Sequence, residues 1–326
     1  MQLNHASVKI TDTLRAGASH AGVASHEIAG VRVIDCGVSE GGSNEAGLAM
    51  ARAAMGGLGD VQLVPDGRAA FGAVWPDCPW PAVTAASDEP VAACLAAQYA
   101  GWKVAAKKYF AMASGPIRAA IGREELFDHI GLRERPAVAV GLLESSALPP
   151  PDVCLQLAAD AGLPPEAVTL LVARTASLAG TLQIIARSLE TGLHKLHDLG
   201  FDLGRIRRGR GVAPLAPVPA GDDLVAIGRT NDAILYGGHV VLEVTGDDAS
   251  LAEIGPRMVS SSSASYGAPF MQLFEQAGRD FYALDPALFA PALVDLVNIE
   301  TGTTRRLGAL APEIVARSFG TAAAGT

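Results

Sequence analysis

Charge is scarce in this chain: only 18% of its 326 residues are Asp, Glu, Lys or Arg, and only 5% are aromatic. A hydrophobic fraction of 49%, swollen by alanine, beside so little charge excludes a disordered, heavily solvated polymer and fits a compact enzyme. The shortage of Glu and Lys also speaks against a hyperthermophilic source. Basic residues are in the minority, and a net charge of −9 argues against nucleic acid as the main partner. Cysteine is sparse. Cys36, Cys78, Cys94 and Cys154 lie far apart without metal-ligand spacing, so they read as small buried hydrophobes, and a disulfide framework is not expected. No run of about 18 or more apolar residues occurs, so no membrane span is expected. The opening MQLNHASVKITDTLRAGASH has no basic region followed by an apolar core, so a cytoplasmic location is expected.

What is present alternates. Strand-like and helix-like segments follow one another, which predicts an α/β (α+β) fold. Val31–Cys36, Val83–Ala86, Ala137–Leu143, Val168–Val172 and His239–Val244 read as strands, and Leu293–Asn298 with Thr303–Leu307 as a hairpin around Thr301-Gly302. Ser43 reads as a cap for a helix over Asn44–Met55, and Asp88 with Pro90 announces another running to about Tyr99. Further helices are expected near Val153–Ala161, Asp223–Tyr236, Ser250–Val259 and Pro312–Phe319. The break Leu148-Pro149-Pro150-Pro151 is the expected boundary between an amino-terminal lobe, 1–148, and a carboxy-terminal lobe, 149–326. Gly204–Pro219, rich in glycine, arginine and proline, reads as a connector. Its Arg205, Arg207, Arg208 and Arg210 are the one concentrated positive patch, suited to an anionic group, a solvated loop or a subunit contact.

The most informative stretch is VARTASLAGTLQIIARSLETGLHKLHDLG, residues 172–200. Leu178, Leu182, Ile185, Leu189, Leu193 and Leu196 recur at helical spacing and predict one long helix with a single buried face. At roughly 100° per residue, Gln183, Arg187, Glu190 and His194 then share about a 60° sector opposite that face. Two readings stand: a solvated face with an ion pair worth ~0–1 kcal/mol, or a carboxylate oriented by an arginine against a substrate.

The segment ARTASLAGTLQIIARSLETGLHKLHDLGFDL resembles the signature of the methenyltetrahydromethanopterin cyclohydrolases. VRVIDCGVSEGGSNEAG, AAMGGLGDV, YAGWKVAAKKYFAMASGPIRA, GRTNDAILYGG and YGAPFMQLFEQAGRDFYALDPALFAPALVDLVNIETG resemble further blocks of that family in the same order, over roughly residues 30–320. The resemblance implies two mixed α/β lobes with a substrate cleft between them and a homotrimer. It also implies hydrolysis of the methenyl bridge of tetrahydromethanopterin to the 5-formyl derivative. The pterin, or a close variant, is then the one-carbon carrier substrate, and no prosthetic group or metal is expected. Together with the mesophile-like composition, it points to a bacterium that oxidises formaldehyde, in methylotrophy. A methenyltetrahydrofolate cyclohydrolase and a non-catalytic pterin carrier are the alternatives.

By the same resemblance Arg187 and Glu190, separated by two residues on a helix, are the catalytic pair. A single carboxylate takes a proton from water and returns it to the leaving nitrogen, work typically worth ~10²–10⁴-fold. An adjacent guanidinium keeps a carboxylate ionised and oriented but weakens it as a base, while burial acts the other way. Lys108, Trp102, Tyr109 and Ser114, in the block that faces substrate in the family, are expected to bind the coenzyme, with Ser114-Gly115-Pro116 as a tight turn. Ala113 and Ile117 stand where relatives often have glycine and alanine. Gln183, His194, Asn231, Asp232 and Phe281 complete the expected binding set. For each there is a plain structural alternative: a core aromatic, a satisfied polar neighbour, or a helix-internal hydrogen bond.

Overall fold

The computed structural model describes residues 2–280 and 283–320. The chain forms two compact units, each discontinuous in sequence: residues 1–61 with 91–184, and 62–90 with 185–326.

The first unit is built on a six-stranded sheet in the order Ala24–Ile28, Val31–Gly37, Val168–Ala173, Ala139–Glu144, Tyr109–Ser114, Trp102–Ala106. Its three central strands run parallel, and the outer pairings are antiparallel. Parallel strands covered on both faces read as unbroken apolar runs, and Val168–Ala173 is buried at every position. On one face, Ile34, Cys36, Leu142 and Leu171 pack with Leu14, Met50 and Ala179 of the helices Leu3–Ala16, Asn44–Ala54 and Leu178–Ile185. On the other, Val33, Leu143 and Val172 meet Val153, Cys154 and Leu157 of the helix Pro151–Asp160. The triple proline does not part the two units. It lies inside the first, where Pro151 starts that helix with a φ suited to the first turn and no N–H to satisfy. The helix announced by Asp88 and Pro90 forms over Val91–Gln98 as a wide, fully packed coil that ends with the Tyr99 N–H on the Cys94 carbonyl.

The second unit carries another six-stranded sheet, in the order Thr304–Gly308, Leu293–Asn298, His239–Val244, Ile206–Pro214, Ala82–Ser87, Asp60–Val64. The expected connector is here a strand. Ile206–Pro214 pairs antiparallel with both Ala82–Ser87 and His239–Val244, and so lies inside the sheet. Gly209 and Gly211 face the helix Ser188–Asp198 and leave no room for a side chain. A Cβ on Gly211 would lie 2.5 Å from Ser188 Oγ and 2.6 Å from Leu189 N. Their neighbours Arg208 and Arg210 are exposed.

The single helix expected over 172–200 is two helices, Leu178–Ile185 and Ser188–Asp198, with a break at Ala186 and Arg187. Leu182, Ile185, Leu189, Leu193 and Leu196 are fully buried on either side of it, so the apolar period runs on through an interruption it does not register. The expected helix to Val259 stops at Ile254, and Gly255–Arg257 continues as one tighter turn, where Pro256 removes an N–H. Among the described residues no helix is long and apolar enough to cross a membrane.

Candidate active site

Arg187 stands at the residue that precedes the helix Ser188–Asp198, with φ −82° and ψ 7°, and Glu190 falls in the first turn. A carboxylate there meets the positive end of the helix dipole. The helix is fixed from below by the glycines of Ile206–Pro214 and, at Gly192, by Val240, whose Cγ1 would lie 3.1 Å from an added Cβ. Arg187 and Glu190 are each only 6% exposed, so the solvated-face reading does not hold. His194, one turn further along, is half-buried, with Nδ1 3.5 Å from the Asp198 carboxylate. Gln183 is buried too, on the separate helix Leu178–Ile185.

In the first unit, the segment of Trp102 to Ser114 is an edge hairpin. Lys108 is exposed at its tip, beside Lys107 with φ +44°. Trp102 packs half-buried against the core, and Tyr109 is buried within it; burial pushes the phenol of Tyr109 up to about 12. Ser114 is buried at the strand end, and Gly115, with φ +94°, turns the chain into the helix Ile117–Ile121. A Cβ on Gly115 would lie 2.9 Å from Leu142 Cδ1, so both conformation and space demand glycine. Ala113 and Ile117 belong to the buried core and fill the sheet's own packing.

In the second unit, the helix Asp223–Leu235 holds Asn231 and Asp232. The Asn231 amide donates to the Ile227 carbonyl of its own helix at 2.8 Å. Asp232 is fully buried, and its Oδ1 accepts the Phe270 N–H at 2.8 Å. Phe281 lies outside the described residues. The arginines of the expected positive patch have separate partners. Arg205 donates to the carbonyls of Thr245 and Asp247 and to Ser250 Oγ, Arg207 to the Gly204 carbonyl, and Arg208 pairs with Asp88 at 3.1 Å.

Two polar anchors of the first unit escaped the sequence. Asn4 is completely buried; its amide donates to the Pro116 carbonyl at 2.8 Å and to Glu134 at 2.6 Å, while its oxygen accepts the Val140 N–H at 3.0 Å. It thereby fixes the Ser114-Gly115-Pro116 turn. Asp35 accepts four successive N–H groups, of Gly37, Val38, Ser39 and Glu40, at 2.7 to 3.4 Å, and sets the loop that follows the strand. Among the described residues no group of three or more His, Cys, Asp or Glu side chains is placed to hold a metal ion.

A family model described as cyclohydrolase (MCH) matches residues 2–319. The chain is 43% identical over 298 residues to a methenyltetrahydromethanopterin cyclohydrolase of Rhodopirellula baltica, covering 90% of this chain and 87% of that protein. It is 42% identical over 291 residues to the protein of that name from Methylobacillus flagellatus, covering 89% and 86%. With the one from Methanosarcina barkeri the identity is 40% over 294 residues, 89% of each chain.

Proposed function

The chain belongs to the cyclohydrolase (MCH) family, and from that premise we propose that it hydrolyses the methenyl bridge of methenyltetrahydromethanopterin to the 5-formyl compound, with Glu190 as the base and Arg187 as its orienting partner. The bridge is a cationic amidinium, electrophilic at its single carbon without further activation. Water adds its oxygen to that carbon and passes one proton to the Glu190 carboxylate, which gives a neutral adduct. The same carboxyl then delivers its proton to the leaving nitrogen as that carbon–nitrogen bond breaks. The hydroxyl proton of the adduct goes to solvent as the formyl C=O forms. One carboxylate thus serves both steps, and the net products are the formyl compound and a proton.

The observation that supports this reading most is the burial of both Arg187, at the residue before the helix Ser188–Asp198, and Glu190, in its first turn. A surface ion pair would sit in water, whereas desolvated charges strengthen one another's orientation and act on a bound cation with little screening. Lys108, Ser114, Gln183, His194 and Asn231 are the residues we take to contact the coenzyme. Trp102, Tyr109 and Asp232, seated in packing or bonded to backbone, support their surroundings. A homotrimer is the expected assembly, and light scattering on the purified protein tests it.

The deciding measurement follows the loss of the methenyl chromophore with wild type and with Glu190→Gln, which keeps volume and hydrogen bonding but removes the base. kcat is expected to fall by about 10²–10⁴ with KM nearly unchanged. A variant that turns over at the wild-type rate removes Glu190 from the role. Saturable binding by the wild type without decay above the spontaneous rate replaces the enzyme with a carrier protein, and faster turnover of methenyltetrahydrofolate replaces the coenzyme.

A further inference from the structure

Lys195 lies on the helix of Glu190 and is only 5% exposed, although lysine is seldom buried without a purpose. Its ammonium donates to the Ala287 carbonyl at 3.4 Å. That carbonyl belongs to a short turn organised by Asp285, which accepts the Ala287 N–H at 2.9 Å with Oδ1 and the Ser263 hydroxyl at 2.6 Å with Oδ2. The charged groups that face Lys195 are Asp285 from this turn, Asp198 from its own helix and Arg257 from the turn Gly255–Arg257. Elsewhere the helix rests on Gly209 and Gly211 under Ser188 and Leu189, and on Val240 and Pro291 against Gly192. Those contacts set how closely the helix approaches the sheet, and the bond from Lys195 to Ala287 adds a directional tie to the turn that Asp285 organises.

We propose that Lys195 is a positioning residue for the reaction: by tying the helix Ser188–Asp198 to Ala287 and Asp285 it sets the rotation of that helix, and with it the aim of Arg187 and Glu190. This rests on Glu190 being the base.

The burial of Lys195 lowers its hold on a proton, against the pull of Asp198 and Asp285. A lysine whose proton is held less tightly in the folded than in the unfolded chain costs stability while it is charged, and that cost fades as pH rises through the lowered value. Lys195→Met preserves length and apolar stem, so it is expected to melt at or above the wild-type temperature near neutral pH.

The test compares Lys195→Met, Lys195→Arg and Asp285→Asn with wild type in the chromophore assay across pH, with a thermal melt of each. Lys195→Met is expected to lower kcat about 10- to 100-fold, the size of effect that a misplacement near 1 Å produces. Its KM should stay within about threefold and its melting temperature should not fall. Lys195→Arg, which keeps the charge, should recover part of kcat. Wild-type kcat should fall on the alkaline side as the ammonium titrates. That limb should flatten in Lys195→Met and move to lower pH in Asp285→Asn, which removes a neighbour that favours the charged form. A wild-type kcat in Lys195→Met, or an alkaline limb unchanged in both variants, overturns the proposal. If Lys195→Met does not fold, the limb in Asp285→Asn decides alone. Glu190→Gln run in parallel separates the two ideas: full activity there defeats the base assignment, while its loss beside a normal Lys195→Met defeats only the positioning role.

Discussion

Asp232 has no exposed surface, and desolvation lifts its carboxyl to about 7 although the Ser318 hydroxyl, the Phe270 N–H and Arg317 pull it down. The folded value lies above the unfolded one, so the stability that the neutral form contributes is full below about pH 4 and is lost as pH rises through about 7. Asp232→Asn keeps an acceptor for Phe270 and cannot ionise. It should therefore gain on wild type between pH 5 and pH 8.5, by on the order of 1–3 kcal/mol, in melts at the two pH values. A constant gap would mean that the carboxyl is ionised throughout. Asn4→Ala should cost about 2–4 kcal/mol in urea unfolding, because Pro116 and Val140 lose their partner inside the core. The role of Asn4 was illegible in the sequence for a physical reason: its bonds reach residues more than 100 positions away. Arg187 and Glu190, by contrast, were singled out by the family resemblance of their segment, local spacing alone leaving a solvated face open.

Among the elements, those whose apolar pattern is set by one environment read correctly: Val31–Gly37, Val168–Ala173, His239–Val244 and the capped helix Asn44–Ala54. Two misreadings share a cause. Periodicity reports which side of the chain is buried, so it carried one helix across the break at Ala186 and Arg187, where burial continues but the helix does not. Composition reports preference for a pleated, side-chain-bearing surface, so it missed Ile206–Pro214, where glycine is needed because a helix rests on the strand. The alternation in Arg208-Gly209-Arg210-Gly211 was the available signal. It gives a graded prediction. Gly211→Ala drives a methyl into the Leu189 backbone, and is expected to cost about 1–3 kcal/mol and to displace the turn that bears Glu190, lowering kcat more than tenfold. Gly209→Ala meets first the mobile end of the Leu189 side chain, at 2.6 Å, and should cost less in both respects. Equal losses of kcat in the two variants would show that the strand does not set the turn.

For the whole molecule, the α/β class was legible and the division of the chain was not. A run of prolines marks where helix and strand must stop, and says nothing about which strands pair across the gap. Ala139–Glu144, before the prolines, pairs in parallel with Val168–Ala173 after them. Expression of residues 1–148 alone is therefore expected to give a chain without a cooperative melt, since the middle of its sheet is missing. A cooperative transition in that fragment would overturn this account. The interleaving also has a consequence for synthesis. Ser87 finds its partner Gly209 only about 120 residues later, which at roughly 5–20 residues per second leaves the strand Ala82–Ser87 waiting for on the order of ten seconds. Through that interval its edge is open to any other unpaired strand, and the slower the synthesis of the intervening residues, the longer that exposure lasts.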